Sequence, residues 1–391
     1  MRILHLTTFL QGGAGRVIVE LAREQRGLGH DVTVVASRRG VPGYENYEEY
    51  LETLAALGVP VRLVGSTFER SHSRTVAAVA AIDRFLPPGH EPDVIHSHAA
   101  VPSLIGLLFA GVRRTPMRVI QTMHGWGQTK TAEQATTDVG VLNLVDRVAV
   151  PSAHSAALLE ELGVRPAQIA LVPYGVASHQ PALSEGDEST WMAMARARLA
   201  GRLVVVCVGT IGPRKNQTLL VEALARLAGT DALCVFVGDG DDRPLRQVIE
   251  NHQCQDRTIV HGYSRSARVL AAGADLLVLP SRSEGQPIAV LEAFCDGLLV
   301  ATSDIPELVE LVHDGMTGFH FRSDDAQALA ETLARVARMS NSNRRAIRAA
   351  ARSRYAAEFT LSRMVERYSQ LYADVSRRKP QSRRRVARSA A

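Results

Sequence analysis

Apolar residues along this chain fall into short, nearly continuous runs, separated by stretches where they recur every three or four positions. In the first half the runs are 2–8 (RILHLTT), 31–37 (DVTVVAS), 59–64 (VPVRLV), 93–98 (DVIHSH), 117–124 (MRVIQTMH) and 146–152 (DRVAVPS). Between them lie helical patterns such as AGRVIVELAREQRGLG, where Val17, Leu21 and Leu28 share a face and Gly29 supplies a stop. Strands that are apolar throughout are buried on both faces, and a helix in each connection makes it a crossover. The pattern therefore predicts a parallel, doubly wound sheet. The second half repeats it, with runs at 202–210, 232–240, 257–263, 275–281, 298–304 and 317–321. The join, 171–190, is rich in Pro, Gly and Ser. The expected α/β architecture is two Rossmann-like domains, 1–175 and 176–360, facing a cleft. An amphipathic helix at 361–375 would return to complete the first domain, leaving 376–391 as a tail.

Composition changes this picture little. A chain of 391 residues exceeds one typical core, and 46% hydrophobic with 22% charged residues is the balance of a globular protein. The net charge of +5 sits in the tail, whose seven Lys/Arg and no acid leave the remainder at −2. Nucleic acid is therefore not an expected partner. The tail lacks apolar periodicity and predicts disorder; it reads as a solubilising or vestigial segment, with peripheral contact to anionic lipid at the inner face of a membrane as the alternative. The longest apolar stretch, 99–112, is too short to span a bilayer and predicts a buried helix. The start, MRILHLTTFLQGGAG, reads as strand and loop without the apolar core of a secretory signal. Cys207, Cys234, Cys254 and Cys295 form no C-x-x-C pair and predict reduced thiols in a cytoplasmic protein.

Chemistry concentrates where runs end. TTFLQGGAGRVIVEL (7–21) is a strand, a Gly-rich turn and a helix, the arrangement in which backbone N–H groups approach an anion. It matches only part of a dinucleotide fingerprint, although Ser37-Arg38-Arg39 after the second run keeps an NADP-binding reading open. VGTIGPRKNQTLLVEAL (208–224) sets Arg214 and Lys215 just before a helix, where cations and a helix N-terminus together would hold a diphosphate. His124 ends a strand against Gly125, and His98 closes the HSH triplet; each is as easily structural as functional. GDGDD (238–242) reads as a turn and N-cap rather than a metal-binding acidic pair. SRSEGQPIAVLEAF (281–294) is the most informative stretch. Pro287 suits a first helical turn, which places Glu284 in the loop ahead and Glu292 about a turn and a half inside. The unpaired N–H groups of that first turn lie between the two carboxylates and favour an anion. Carboxylates for hydroxyl groups on either side of an anion site suit a nucleotide-sugar.

With these pieces in place, most of residues 1–375 resembles the retaining glycosyltransferases of family 4, of GT-B architecture. The order GGAGRVIVELA, DVIHSHAAVPSLIGL, MHGWG, VPYGV, VGTIGPRKN, VGDGDD, HGY and the Glu-x7-Glu element carries the resemblance. It implies that Glu284 holds donor-sugar hydroxyls and Glu292 the ribose. Gly285, Gln286, Pro287 and Ile288 would lie along sugar and phosphate. Arg214 and Lys215 would hold the diphosphate next to Gly209, with Gly12 and Gly13 as a glycine loop beside it. His124 would stand near the transferred sugar, and His261, Gly262 and Tyr263 would flank the base. His98 and Arg16 are weaker candidates for the acceptor. No cofactor and no metal are implied. The expected reaction moves a sugar from a nucleotide-diphosphate sugar, UDP favoured, to a glycan or lipid-linked acceptor of surface polysaccharide or glycolipid synthesis. A nucleotide-sugar epimerase and a non-catalytic nucleotide-sugar-binding protein are the alternatives. Thr210, Tyr174, Ala177 and Leu299 depart from the family's usual residues.

Overall fold

The computed structural model describes residues 1–41, 43–127, 129–178 and 182–377. The chain divides into two compact units. The first comprises Met1–Val150, Ala156–Val172 and the chain from Val365 on; the second comprises Pro151–Ser155 and Pro173–Met364.

In the first unit the strands are β1 (Arg2–Leu6), β2 (Asp31–Ser37), β3 (Val61–Val64), β4 (Val94–Ser97), β5 (Arg118–Thr122), β6 (Arg147–Val150) and β7 (Ile169–Leu171). They pair in parallel in the order β3-β2-β1-β4-β5-β6-β7. Leu4, Leu6, Ile95, Val119 and Val148 pack on one face against Ile105 and Phe109 of the helix Ala100–Arg113. Val32 and Val34 pack on the other against Ile18 of the helix Gly12–Gly27 and Leu54 of the helix Glu48–Ala56. Gly106 lets its helix lie close to the sheet, since a Cβ there would stand 2.9 Å from Ile95 Cγ2. The helix in the 99–112 stretch is buried on that face alone; Leu108 and Val112 are exposed, which corrects the expectation of a wholly buried helix.

In the second unit the strands are β8 (Leu203–Val208), β9 (Ala232–Val237), β10 (Thr258–Gly262), β11 (Leu276–Leu279), β12 (Leu299–Ser303) and β13 (Phe319–Phe321). Their order, β10-β9-β8-β11-β12-β13, is again parallel. In both sheets the winding reverses beside the first strand, at β1/β4 and at β8/β11. Such switch points leave a crevice outside the carboxyl ends of the strands, where ligands bind in open α/β sheets.

Every predicted run holds a strand. The unpredicted β7 is a three-residue edge strand, too short to carry a period. The first unit ends at Val172 rather than 175. Pro151–Ser155 groups with the second unit because the N–H groups of Ala153 and His154 donate to the Glu310 carboxylate at 2.7 and 2.9 Å. The last helix, Leu361–Arg377, runs two residues past the expected 375. The remainder of the basic tail, 378–391, lies outside the described residues.

Candidate active site

In the second unit the carboxyl ends of β8 and β11 bring Arg214, Lys215 and Glu284 together. Glu284 is buried, and its carboxylate accepts from Lys215 Nζ at 2.5 Å and Arg214 Nη1 at 3.2 Å. Burial alone would raise the Glu284 pKa. The charges of Lys215 and Arg214 outweigh it and hold the group below the ordinary carboxylate range, so it is ionised. Lys215 is placed by backbone geometry. Gly209 has φ +142°, and its missing side chain leaves room for the Lys215 stem, which passes 3.3 Å from where a Cβ would sit. Asn216, at φ +54°, then turns the chain into the helix Gln217–Arg226 while its amide donates to Asp324 at 3.0 Å. Arg214 also donates to Ser283 O at 2.9 Å, but its side chain is half exposed. A lysine ammonium has three donors. The ion pair uses one of them, and phosphate oxygens are the matching acceptors for the others.

Pro287 is the N-cap of the helix Ile288–Asp296 rather than a residue of its first turn. Glu292 is the fifth residue of that helix, half-buried in the field of Arg268. Arg268 is buried and forks Asp296 at 2.7 and 2.8 Å while donating to Ala177 O at 2.7 Å. The Gln286 side chain accepts from Tyr174 N at 2.6 Å, tying the loop to the PYGVA segment. Gly285 and Ile288 are half-buried on either side of this turn.

His261 is the penultimate residue of β10, and its ring is committed elsewhere. Its Nε2 meets Asp187 at 2.8 Å and its Nδ1 meets Thr190 at 2.8 Å. Asp187 also accepts from Ser264 and Ser266, and these hydroxyls with His261 hold its carboxyl below the usual range against the opposing effect of burial. Of the expected base-flanking triplet, Gly262 turns with φ +85° and Tyr263 is exposed. Asp241 grips Arg243 through both carboxylate oxygens at 2.7 Å, as a turn residue would.

In the first unit the sites collect at the carboxyl ends of β1, β4 and β5. Gly12 and Gly13 are the first two residues of the helix Gly12–Gly27, not a loop ahead of it as expected. Gly12 has φ +52° and its carbonyl accepts from Tyr50 OH at 3.0 Å. Arg16 pairs with Glu20 at 3.3 Å. His98 is buried. It lies within a row of imidazoles: His5 Nδ1 to His98 Nε2 is 3.0 Å, and His98 Nδ1 to His124 Nε2 is 3.0 Å. The row is anchored by Gln25, whose Oε1 meets His5 Nε2 at 2.8 Å and whose Nε2 donates to Tyr372 OH at 2.9 Å. Tyr372 OH in turn meets His96 Nδ1 at 2.8 Å, and His96 Nε2 meets Thr122 Oγ1 at 2.7 Å. Burial lowers the pKa of His5 and of His124 to about 4, and those of His96 and His98 well below 6.5. All four are therefore neutral at pH 7. With the Gln25 amide so oriented, His5, His98 and His124 each carry their proton on Nε2 and pass it to the preceding acceptor.

Sequence reasoning picked out His98 and His124 but missed His5, Gln25, His96 and Tyr372. Two strands, the helix Gly12–Gly27 and the last helix supply them, so no local spacing signals the cluster. His5, His96 and His98 also place ligating atoms within 4.8 Å of one another. Those nitrogens already hydrogen-bond to the partners above, which a metal would have to displace.

Two Rossmann-like units with an ionised carboxylate and two cations at a switch point of the second are the frame of a GT-B glycosyltransferase. Residues 11–180 match the model of Glycosyltransferase Family 4, and residues 195–354 match that of Glycosyl transferases group 1. The chain belongs to this glycosyltransferase family and is an enzyme of that class. The UDP-Gal:alpha-D-GlcNAc-diphosphoundecaprenol alpha-1,3-galactosyltransferase of Escherichia coli is 26% identical over 62% of this chain and 66% of its own length. The D-inositol 3-phosphate glycosyltransferase of Nocardia farcinica is 28% identical over 94% of this chain and 88% of its own. Among solved structures, HepE of Anabaena in complex with UDP and glucose superposes with TM-score 0.81 at 19% identity, over 96% of this chain and all of that one. WaaG, a glycosyltransferase involved in lipopolysaccharide biosynthesis, gives TM-score 0.71 at 17% identity over 95% of this chain and 99% of its own.

Proposed function

We propose that the protein is a retaining, metal-independent glycosyltransferase that moves a sugar from a UDP-sugar to a glycan or lipid-linked acceptor in surface polysaccharide or glycolipid assembly. The ionised Glu284 gripped by Lys215 and Arg214 carries this reading. It sets a carboxylate for sugar hydroxyls directly against cations for a diphosphate. The UDP and galactosyl chemistry in the names of similar proteins supports the choice of donor.

In this reading Lys215 and Arg214 neutralise the β-phosphate as the bond from the anomeric carbon to its oxygen breaks, the work a divalent metal does elsewhere. The acceptor oxygen bonds that carbon on the face the diphosphate leaves, and its proton passes to a phosphate oxygen. Configuration is retained without a protein base. Glu284 orients the sugar, Glu292 holds the ribose, and the turn Gly285–Ile288 lies along sugar and phosphate. Gly209 belongs to this donor site through its contact with Lys215, and Tyr263 and Gly262 flank the base. On the first unit, Gly12 and Gly13, at the start of their helix, are assigned to an anion. His124, also on the first unit, is assigned to a sugar hydroxyl, which its neutral imidazole meets without adding charge. Among the described residues no helix is long and apolar enough to cross a membrane. Peripheral contact with anionic lipid is the access to a lipid-linked acceptor that fits this reading.

The two carboxylates test the reading together. Glu292→Gln should weaken UDP and UDP-sugar alike, by roughly 10- to 150-fold for a lost charged hydrogen bond of about 1.5–3 kcal/mol. Glu284→Gln should leave UDP bound as well or more tightly, because Lys215 and Arg214 lose their internal counter-charge, while transfer falls. Calorimetry with UDP beside turnover with donor reads both. Equal loss of UDP affinity in the two variants would sink the assignment, and turnover of donor without acceptor would indicate an epimerase.

A further inference from the structure

We propose that the second unit carries a separate binding site for a phosphate-bearing ligand, in a cavity lined by Arg198, Arg345, Arg348 and Arg352. The cavity measures about 710 Å³, within the size range of small-molecule sites. It lies at the amino ends of the strands: Asp275 and Leu298, beside it, precede β11 and β12, whereas Glu284 follows β11. It is thus on the opposite edge of the sheet from the donor site proposed above and does not depend on that reading.

The bland explanation is that these arginines cap helix ends, and for two of them it holds. Arg198 Nη1 donates to Gly273 O at 3.2 Å, beyond the helix Ala267–Ala272, and Arg198 pairs with Asp275 at 3.4 Å. Arg352 Nη2 donates to Asp296 O at 2.8 Å, and it lies so close over Gly297 that a Cβ there would meet its Nε at 2.4 Å. Cations at carbonyl ends of helices are ordinary. Arg345 and Arg348 have no such employment. Arg348 Nε is buried without a hydrogen-bond partner, and Arg345 makes no ion pair among the described residues.

The acids nearby are already engaged. Asp296, the carboxylate lining the cavity, is forked by Arg268 at 2.7 and 2.8 Å. Asp275 accepts from Val204 N at 3.0 Å besides its pairing with Arg198. Positive charge therefore exceeds negative around the cavity. Burial lowers the Arg348 pKa below the ordinary arginine value; repulsion from Arg344, Arg198 and Arg352 adds to it, and Asp275 opposes it without reversing it. Packing like charges around a cavity costs stability unless an anion is shared between them. Guanidinium forks match phosphate oxygens two at a time, and several forks select a multiply charged phosphate over a monovalent ion.

The test is calorimetry of the full chain with inorganic pyrophosphate at fixed ionic strength. The wild type is compared with Arg345→Ala/Arg348→Ala and with Arg214→Ala/Lys215→Ala. We expect two binding events in the wild type. The Arg345→Ala/Arg348→Ala variant should lose one of them or weaken it about tenfold or more, and Arg214→Ala/Lys215→Ala should retain it. Unchanged pyrophosphate binding in Arg345→Ala/Arg348→Ala overturns the proposal, whatever Arg214→Ala/Lys215→Ala shows about the donor site. Arg345→Glu, at an exposed position, repeats the test should the double variant fail to fold. Vesicles containing phosphatidate distinguish a lipid headgroup from a soluble phosphate: loss of either binding in Arg345→Glu supports phosphate recognition and names its source. Binding of neither probe by the wild type, or of both equally by Arg345→Glu, overturns it.

Discussion

At residue scale the donor-side site depends on atoms that are missing. Gly238 follows β9 with φ +157°, and a Cβ there would stand 2.1 Å from Gly209 O, the carbonyl of the residue that accommodates Lys215. Gly238→Ala must therefore push the β8 and β9 ends apart or refold the turn. A cost on the order of 2–4 kcal/mol is expected, in the range of strained backbone plus lost packing. Urea unfolding should show it as a lower midpoint, and UDP affinity should fall with it because Lys215 moves. A midpoint within error of wild type would mean that the two loops have slack. Both residues stand in the sequence as Gly after an apolar run, which marks a turn. Their mutual contact is not legible there, because the pairing of β8 with β9 creates it. Glu284 and Lys215 were legible for a different reason. As charged residues between the end of an apolar run and a helix start they stand out as candidates, but their ion pair is not legible, because the pairing of β8 with β11 creates it.

At the scale of elements, strands gave themselves away by apolar runs, and the short edge strand β7 escaped because three residues carry no period. The histidine row escaped differently. His5, His96 and His124 come from β1, β4 and the end of β5, and Tyr368 and Tyr372 from the helix Leu361–Arg377. Tyr368 OH meets Thr122 Oγ1 at 2.8 Å, which completes the bonded layer. Only the strand order β2-β1-β4-β5 brings these side chains together. The layer makes a prediction about pH. Each buried histidine is neutral in the fold, with a pKa of about 4 for His5 and His124, but titrates near 6.5 when unfolded. The unfolded chain therefore binds more protons, and stability is full above pH 6.5 and falls as pH drops towards about 4. The loss is roughly 1.4 kcal/mol per pH unit for an independent histidine. Because none of the four is protonated in the fold over that range, their contributions add. The unfolding free energy should drop steeply between pH 6.5 and 5, and His5→Gln should flatten that slope. A flat profile in the wild type would show that the layer takes up protons without opening.

At the scale of the whole molecule, the two-unit division was readable from the repeat of the run pattern. The exact exchange of segments was not, because Pro151–Ser155 joins the second unit through Glu310, more than 150 residues away. Glu284, Glu292, Arg214 and Lys215, proposed above to hold the nucleotide, belong to the second unit, and this predicts how a nucleotide should act on stability. A ligand that binds only the folded state adds RT ln(1 + [L]/Kd), about 2.7 kcal/mol at a hundredfold excess over Kd. For a cooperative unit of this size that is a rise of roughly 5–10 °C in melting temperature. Screening UDP, GDP, ADP and NADP at equal concentration should give the largest rise with UDP. Because Lys215 and Arg214 supply the charge that a metal would otherwise bring, the rise should be the same in EDTA as in Mg²⁺. Lys215→Ala should abolish most of it, and Arg345→Ala should not change it. A greater rise with NADP would return the Gly-rich turn after β1 to the dinucleotide reading. A rise with UDP that requires Mg²⁺ would leave the donor assignment intact but remove the metal-independent mechanism, since the two cations would then be insufficient to hold the diphosphate.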